Sequence, residues 1–220
     1  METTYTEENY LKAIWSLSSN TRNGVSTNKL AERLDTKASS VTDMVRRLSD
    51  KGLVDYIKYQ GVKLSDEGRA VAVRVIRKHR LWESFLVDKL RFNWDEVHEL
   101  AEQLEHIRSQ ELTDRLDAFL GHPACDPHGD PIPKKDGTFP ELERKVISAH
   151  QPGERVVITG VTDSSASFLQ FLNRLKLGLG TELEILEQFD FDKSMLVKRE
   201  AGDEQLLPAG VVSQLLVSTK

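Results

Sequence analysis

Apolar residues recur at helical spacing from the start of the chain to about residue 120 and in short strand-like runs beyond Pro152, so helices should give way to strands. A first helix is expected over Glu7 to Ser18, with Tyr10, Leu11, Ile14, Trp15 and Leu17 on its buried side, Thr6 as cap, and Glu7 and Glu8 in the dipole-favoured first turn. Ser26 caps a short helix carrying Leu30, Ala31 and Leu34. A turn leads to a longer helix with Val41, Met44, Val45 and Leu48, closed by Gly52. Two helices and a tight turn, the second exposing Lys37, Ser39, Ser40, Thr42, Asp43, Arg46 and Arg47, have the layout of a helix-turn-helix reader. A plain helical hairpin has the same layout. The next stretch separates the two: Leu53 to Ile57 reads as a strand, Lys58 to Gly61 as a turn and Val62 to Leu64 as the returning strand. That hairpin is a wing, so residues 7–64 are expected to form a winged helix-turn-helix.

Ser65 caps a long helix with Val71, Val75, Ile76, Trp82, Phe85, Leu86 and Leu90. It carries His79 and Glu83 one turn apart, near enough to share a cation or simply to hydrogen-bond. Asn93 and Glu96 form a capping box for the following helix. There His98, Glu102, Glu105 and His106 fall within an arc of about 100°. Val97, Leu100, Ala101, Leu104 and Ile107 fill the neighbouring stripe, which an ordinary solvated amphipathic helix would also show. A further helix spans Gln110 to Leu120. Gly121 to Pro140 is a Pro-, Gly- and Asp-rich loop whose His122, Cys125 and His128 match no closed zinc spacing. Strands follow at 155–161, 182–187, 195–198 and 211–217, with a short helix at 167–175, a spacing that fits a small β-barrel.

Composition changes this picture little. The 220 residues, 39% hydrophobic, are enough for one large or two to three small domains, each with a buried core. A single cysteine, Cys125, excludes an intrachain disulfide, and the lack of a leader or long apolar run points to a cytoplasmic protein with no membrane span. The net charge of -5 argues against non-specific coating of nucleic acid. From Ser26 to Lys63 the balance reverses, with Lys29, Arg33, Lys37, Arg46, Arg47, Lys51, Lys58 and Lys63 outnumbering the acidic residues. Arg46, Arg47 and Lys58 offer charge to phosphates. Ser39, Ser40 and Thr42 offer short hydrogen-bonding groups to phosphates or base edges.

Together these features resemble the diphtheria toxin repressor family of metal-dependent transcriptional regulators, including its manganese transport regulator branch, over essentially the whole chain. The motifs that carry the resemblance are Glu8 to Ile14, Ser39-Ser-Val-Thr42, Arg77 to Glu83, Val97-His98, Glu102-x-x-Glu105-His106 and Asp126 to Pro133. It implies a mainly α fold with β: an N-terminal winged helix-turn-helix, a helical metal-binding and dimerisation domain, and a C-terminal SH3-like β-barrel. The corresponding ranges are 1–74, 75–140 and 153–220, with a linker at 141–152. It places a primary metal site at Asn9, Glu102, Glu105 and His106. An ancillary site falls at His79, Glu83 and His98, completed from the third domain by Asp163, with Ser164 and Ser167 behind it. The iron-responsive branch has Met and Cys where this chain has Asn9 and Glu102, so hard oxygen ligands replace sulfur and tilt the choice towards manganese. The manganese branch has Asp and Glu where this chain has Asn9 and Lys12, a charge change that weakens cation binding and keeps Fe(II) a competitor.

The expected function is a metal-dependent repressor. Mn(II), or Fe(II), would act as corepressor of a homodimer on a palindromic double-stranded operator of metal-uptake genes, with Zn(II) or other divalent ions substituting in vitro. The alternative is a metal-independent winged-helix regulator that senses an organic ligand, its His and Glu residues serving as structural hydrogen-bonders. An enzyme is not expected: neither His-Glu-x-x-His nor His-x-x-Glu-His occurs, and no activated nucleophile stands out.

Overall fold

The computed structural model describes residues 2–18, 24–57, 61–200 and 202–220. The chain divides into two compact units, each assembled from separate stretches: Met1–His79 with Glu102–Glu111 and Pro133–Phe139, and Arg80–Ala101 with Leu112–Ile132 and Pro140–Lys220.

The first unit opens with α1 (Tyr5–Ser18), α2 (Thr27–Arg33) and α3 (Ala38–Asp50), then the hairpin β1 (Val54–Ile57) and β2 (Gly61–Leu64). Helix α1 starts earlier than its hydrophobic spacing implies, because Thr4 and Glu7 form a reciprocal capping box: Thr4 N donates to Glu7 Oε2 at 2.9 Å and Glu7 N to Thr4 Oγ1 at 3.3 Å. Lys51 Nζ donates to the other Glu7 oxygen at 2.7 Å. Burial pushes the Glu7 carboxyl up, but Lys51 and the Thr4 bonds outweigh it and hold the carboxyl below its ordinary value. A Glu7→Ala variant therefore loses both a cap and an ion-pair partner, and its urea midpoint should fall by the equivalent of about 1–2 kcal/mol.

Ser26 caps α2 as expected, accepting from Lys29 N. Gly52 ends α3 in the left-handed conformation, φ 69°, so the chain can turn into β1. Leu11, Ile14, Leu30, Val41, Val45, Leu48 and Val62 make one buried core that joins the three helices to the wing. The register Tyr56↔Val62 fixes the hairpin. Lys58 and the tip of the expected turn lie outside the described residues.

Ser65 caps α4 (Asp66–Asp88), accepting from Gly68 N at 3.1 Å. Two short helices follow, α5 (Val97–Leu104) and α6 (Gln110–Phe119). In the second unit Leu81, Leu116 and Ile132 form a small core with Trp82, Phe85 and Leu120.

The rest of the second unit is an antiparallel sheet of β3 (Lys145–Val146), β4 (Arg155–Val161), β5 (Glu182–Gln188), β6 (Met195–Arg199), β7 (Glu204–Leu207) and β8 (Leu215–Thr219). Its order is β3-β8-β4-β5-β6-β7, and bulges between Ile158 and Gly160 and between Ile185 and Glu187 bend it. Helices α7 (Ala166–Leu175) and α8 (Ala209–Val212) complete it, with Leu169 and Leu172 packed into the sheet core. Three details differ from the sequence pattern. Residues 145–146 belong to the sheet rather than to a linker, Glu204–Leu207 adds a strand, and the expected strand 211–217 begins as a helical turn. Val211 and Val212 look like a strand because they are β-branched and buried, but their amides bond to Pro208 O and start a turn.

Candidate metal centre

In the first unit α1 presents Glu8 and Lys12, one turn apart, to residues that follow α5. That helix ends at Leu104, and Ile107 N bonds to Leu104 O at 3.1 Å. The expected single helical stripe is therefore broken, because the chain has to turn between α5 and α6. His98 and Glu102 lie on the helix, whereas Glu105 and His106 lie in the turn, both buried.

His106 Nδ1 is 2.7 Å from Glu8 Oε2. A carboxylate only accepts, so that nitrogen carries the proton, and in the neutral ring Nε2 keeps a bare lone pair. This Nε2 stands 3.9 Å from Glu105 Oε1, and Tyr5 stacks on the ring at 4.7 Å between centroids. A ligating histidine is usually oriented in this way, by a carboxylate on its other nitrogen. Glu105 Oε2 is 2.7 Å from Lys12 Nζ and 2.5 Å from His79 Nδ1. Burial pushes the Glu105 carboxyl up, but the His79 hydrogen bond and the Lys12 charge outweigh it and hold the carboxyl below its ordinary value. Among the described residues its other oxygen, Oε1, is buried with no hydrogen-bond partner. Such an orphan acceptor costs about 1–3 kcal/mol, which a cation beside it would remove. The donor set is nitrogen and oxygen without sulfur, suited to Mn(II), Fe(II) or Zn(II).

A second cluster lies in the other unit. Glu83, Asp126 and His128 are all buried, with ligand atoms within 4.8 Å of one another. His128 Nδ1 is 3.6 Å from Glu83 Oε2 and 3.9 Å from Asp126 Oδ1. His128 Nε2 donates to Trp94 O at 2.8 Å, a bond that again turns the other nitrogen towards carboxylates. Asp126 Oδ1 accepts from His128 N at 2.8 Å and Asp130 N at 3.0 Å, an Asx turn that folds the loop around the carboxylate. Burial, with the neighbouring Glu83 and Asp130 charges, pushes the Asp126 carboxyl up to about 7. Burial opposes charging of His128, but the Glu83 hydrogen bond and the Glu83 and Asp126 charges raise it to about 9. His98 Nδ1 reaches Glu83 Oε1 at 3.4 Å.

Of the residues singled out in the sequence, Glu102, Glu105 and His79 come together around Lys12, His106 stands beside Glu105, and Glu83 and His98 meet each other. Asn9 is placed elsewhere. It is exposed and lines a cleft with Thr6, Tyr10, Ser40 and Arg47, so that Glu8, one residue earlier, is the α1 carboxylate at His106. Asp163 sits in the turn before α7, where its Oδ1 accepts from Ser165 N at 2.8 Å. His122 is exposed and bonds to Asp117 at 2.9 Å, apart from the buried His128. Glu8, Asp126 and His128 were not named as ligands in the sequence. The four-residue spacing of Glu8 and Lys12 was a signal that both share a helix face. The loop motif marked Asp126 and His128 without giving them a partner.

The face of α3 expected to read DNA is open. Lys37, Ser39, Ser40, Asp43, Arg46 and Arg47 are exposed, while Val41, Val45 and Leu48 are buried. Thr42 Oγ1 donates back to Ala38 O at 2.9 Å. No helix of the described residues is long and apolar enough to cross a membrane.

Residues 2–62 match the N-terminal DNA binding domain of iron dependent repressors, 65–134 their metal binding and dimerisation domain, and 146–219 the FeoA domain. The chain is 38% identical over 130 residues to the iron-dependent repressor IdeR of Mycobacterium tuberculosis, covering 58% of this chain and 55% of that protein. It is 34% identical over 154 residues to the diphtheria toxin repressor of Corynebacterium diphtheriae, covering 69% and 65%. These alignments span between half and two thirds of the curated relatives. Among solved structures, a manganese-dependent transcriptional repressor in complex with manganese is 35% identical, with a TM-score of 0.85 over 97% of this chain and 100% of that one. The manganese regulator SloR is 31% identical, with a TM-score of 0.75 over 97% and 98%.

Proposed function

This chain belongs to the diphtheria toxin repressor family of metal-dependent transcriptional regulators, and we propose that it represses metal-uptake genes as a cytoplasmic homodimer activated by Mn(II) or Fe(II). It is a DNA-binding regulator and not an enzyme. The observation that carries the reading is the buried Glu105 Oε1, without a hydrogen bond among the described residues, facing His106 Nε2, with Glu8 orienting the ring.

Glu105 and His106 would hold the cation, with Glu102 beside them. A divalent cation there supplies two positive charges and directed bonds to nitrogen and oxygen. Glu8 and Lys12 belong to α1 of the DNA-reading segment, whereas Glu102, Glu105 and His106 come from α5 and the turn after it. Holding these stretches together restrains α1, and with it α2 and α3, through their shared core. Restraint that favours the DNA-competent arrangement makes cation and DNA binding cooperative in both directions. Glu83, Asp126 and His128 form a second candidate site, with His98 at the other Glu83 oxygen and Asp163 a candidate for completing it. Ser39, Ser40, Arg46 and Arg47 would contact the operator from α3 and Lys37 from its N-cap, with Thr42, Asp43 and Lys58 as further contacts.

The test is the affinity of chelator-stripped protein for fragments of its own genome, measured without metal, with Mn(II) and with anaerobic Fe(II). Tightening of roughly 10- to 100-fold is expected with either ion. No tightening would favour the metal-independent, ligand-sensing alternative.

A further inference from the structure

The two oxygens of one buried carboxylate divide the first cluster into two sides. Facing Glu105 Oε1 is His106 Nε2, 3.9 Å away, and among the described residues no hydrogen-bond donor serves that oxygen. At Oε2 stands the Lys12 ammonium, 2.7 Å from that oxygen, 3.1 Å from His79 Nδ1 and 3.6 Å from Glu102 Oε1. One imidazole and two carboxylates are nitrogen and oxygen donors of the kind that hold a divalent ion. Here they surround a side chain that donates three hydrogens, accepts none and carries one positive charge. The Lys12 side chain is only 18% exposed, so α1 holds that charge in place.

We propose that Lys12 is a tethered cation filling one of two compartments in this cluster, so that the Glu105 Oε1 and His106 side takes a single divalent ion. The proposal rests on the reading above that the cluster binds a divalent cation. Charge supports it. Lys12, together with Lys78, which also feels Glu8 and Glu105, offsets part of the negative charge of Glu8, Glu102 and Glu105, so little is left for a second divalent ion to balance. The nearby ammonium also weakens the hold on that ion, raising the concentration at which the cluster fills. Lys12 is thus a positioning and threshold-setting residue.

The test uses the full chain, stripped with chelator, titrated with Mn(II) by calorimetry and followed by electron paramagnetic resonance. Lys12→Glu should bind one more Mn(II) per chain than the unsubstituted protein and show a coupled pair of ions. Lys12→Arg should keep the original stoichiometry and show no coupled pair. Lys12→Gln, which adds no charge, guards against misfolding of the Glu variant, and should bind the first ion about tenfold more tightly. Unchanged stoichiometry in Lys12→Glu together with unchanged affinity in Lys12→Gln would overturn the proposal. So would a coupled pair in the unsubstituted protein. Binding that Glu105→Gln leaves untouched would instead remove the divalent-cation reading, and the proposal with it.

Discussion

Glu105→Gln should abolish metal-stimulated DNA binding while metal-free DNA affinity stays at the level of the unsubstituted protein. Glutamine keeps the size of the side chain and one carbonyl oxygen, so the fold should persist. It loses the negative charge that faces both Lys12 and His106 Nε2. The affinity of the cluster for Mn(II) should fall at least about 100-fold, beyond the 10- to 100-fold typical of changes to groups that only support a ligand. Some stability will go as well, because the Lys12 ammonium then meets a neutral amide instead of its 2.7 Å carboxylate partner. Thermal melting of the metal-free protein separates that loss from the loss of response. Stimulation by Mn(II) equal to that of the unsubstituted protein would overturn the proposal that the cation restrains α1 through Glu105. The same protein serves as control for the Lys12 series, since both depend on Glu105.

The reader was legible in the sequence because local rules decide it. Ser26 caps α2 through its own hydroxyl, Gly52 turns the chain after α3, and alternating residues set the wing register. The site was legible in residue type but not in register. Helical periodicity placed His98, Glu102, Glu105 and His106 on one face, yet the helix stops at Leu104 and the last two act from a turn. Nothing local announces that stop, which follows from the start of α6 a few residues later. On α1 the choice between Glu8 and Asn9 is a rotation of one residue, about 100°. Only packing of Tyr10, Leu11 and Ile14 into the core fixes that rotation, and it turns Glu8 and Lys12 towards His106 and Glu105. Asp126 and His128 lie where periodicity carries no information. Their burial with Glu83 is a long-range contact that neither composition nor spacing encodes.

Gly129→Ala should cost about 3 kcal/mol or more and remove the second cluster without touching the first, for reasons of backbone alone. Gly129 has φ 87°, and a Cβ there would stand 2.3 Å from Thr159 O and 2.4 Å from Gly160 Cα. The conformation by itself costs an L residue about 1–2 kcal/mol. Backbone on both sides of the clash cannot yield by a side-chain rotation, so a further 1–3 kcal/mol of overpacking is expected. The contact is also what docks the loop: Val161 N bonds to His128 O at 3.0 Å, and Arg144 Nη1 donates to Gly129 O. Lifting Gly129 from β4 therefore moves the neighbouring His128 and loosens the Asp126 turn that shapes the site. The melting temperature should fall by roughly 6–12 °C, at 2–4 °C per kcal/mol for a chain of this size. In a Mn(II) titration the Glu105-dependent event should survive, and any event that depends on Glu83 should be lost. Retention of both events at an unchanged melting temperature would mean that the loop tolerates a Cβ and that its close approach to β4 does not hold the cluster together.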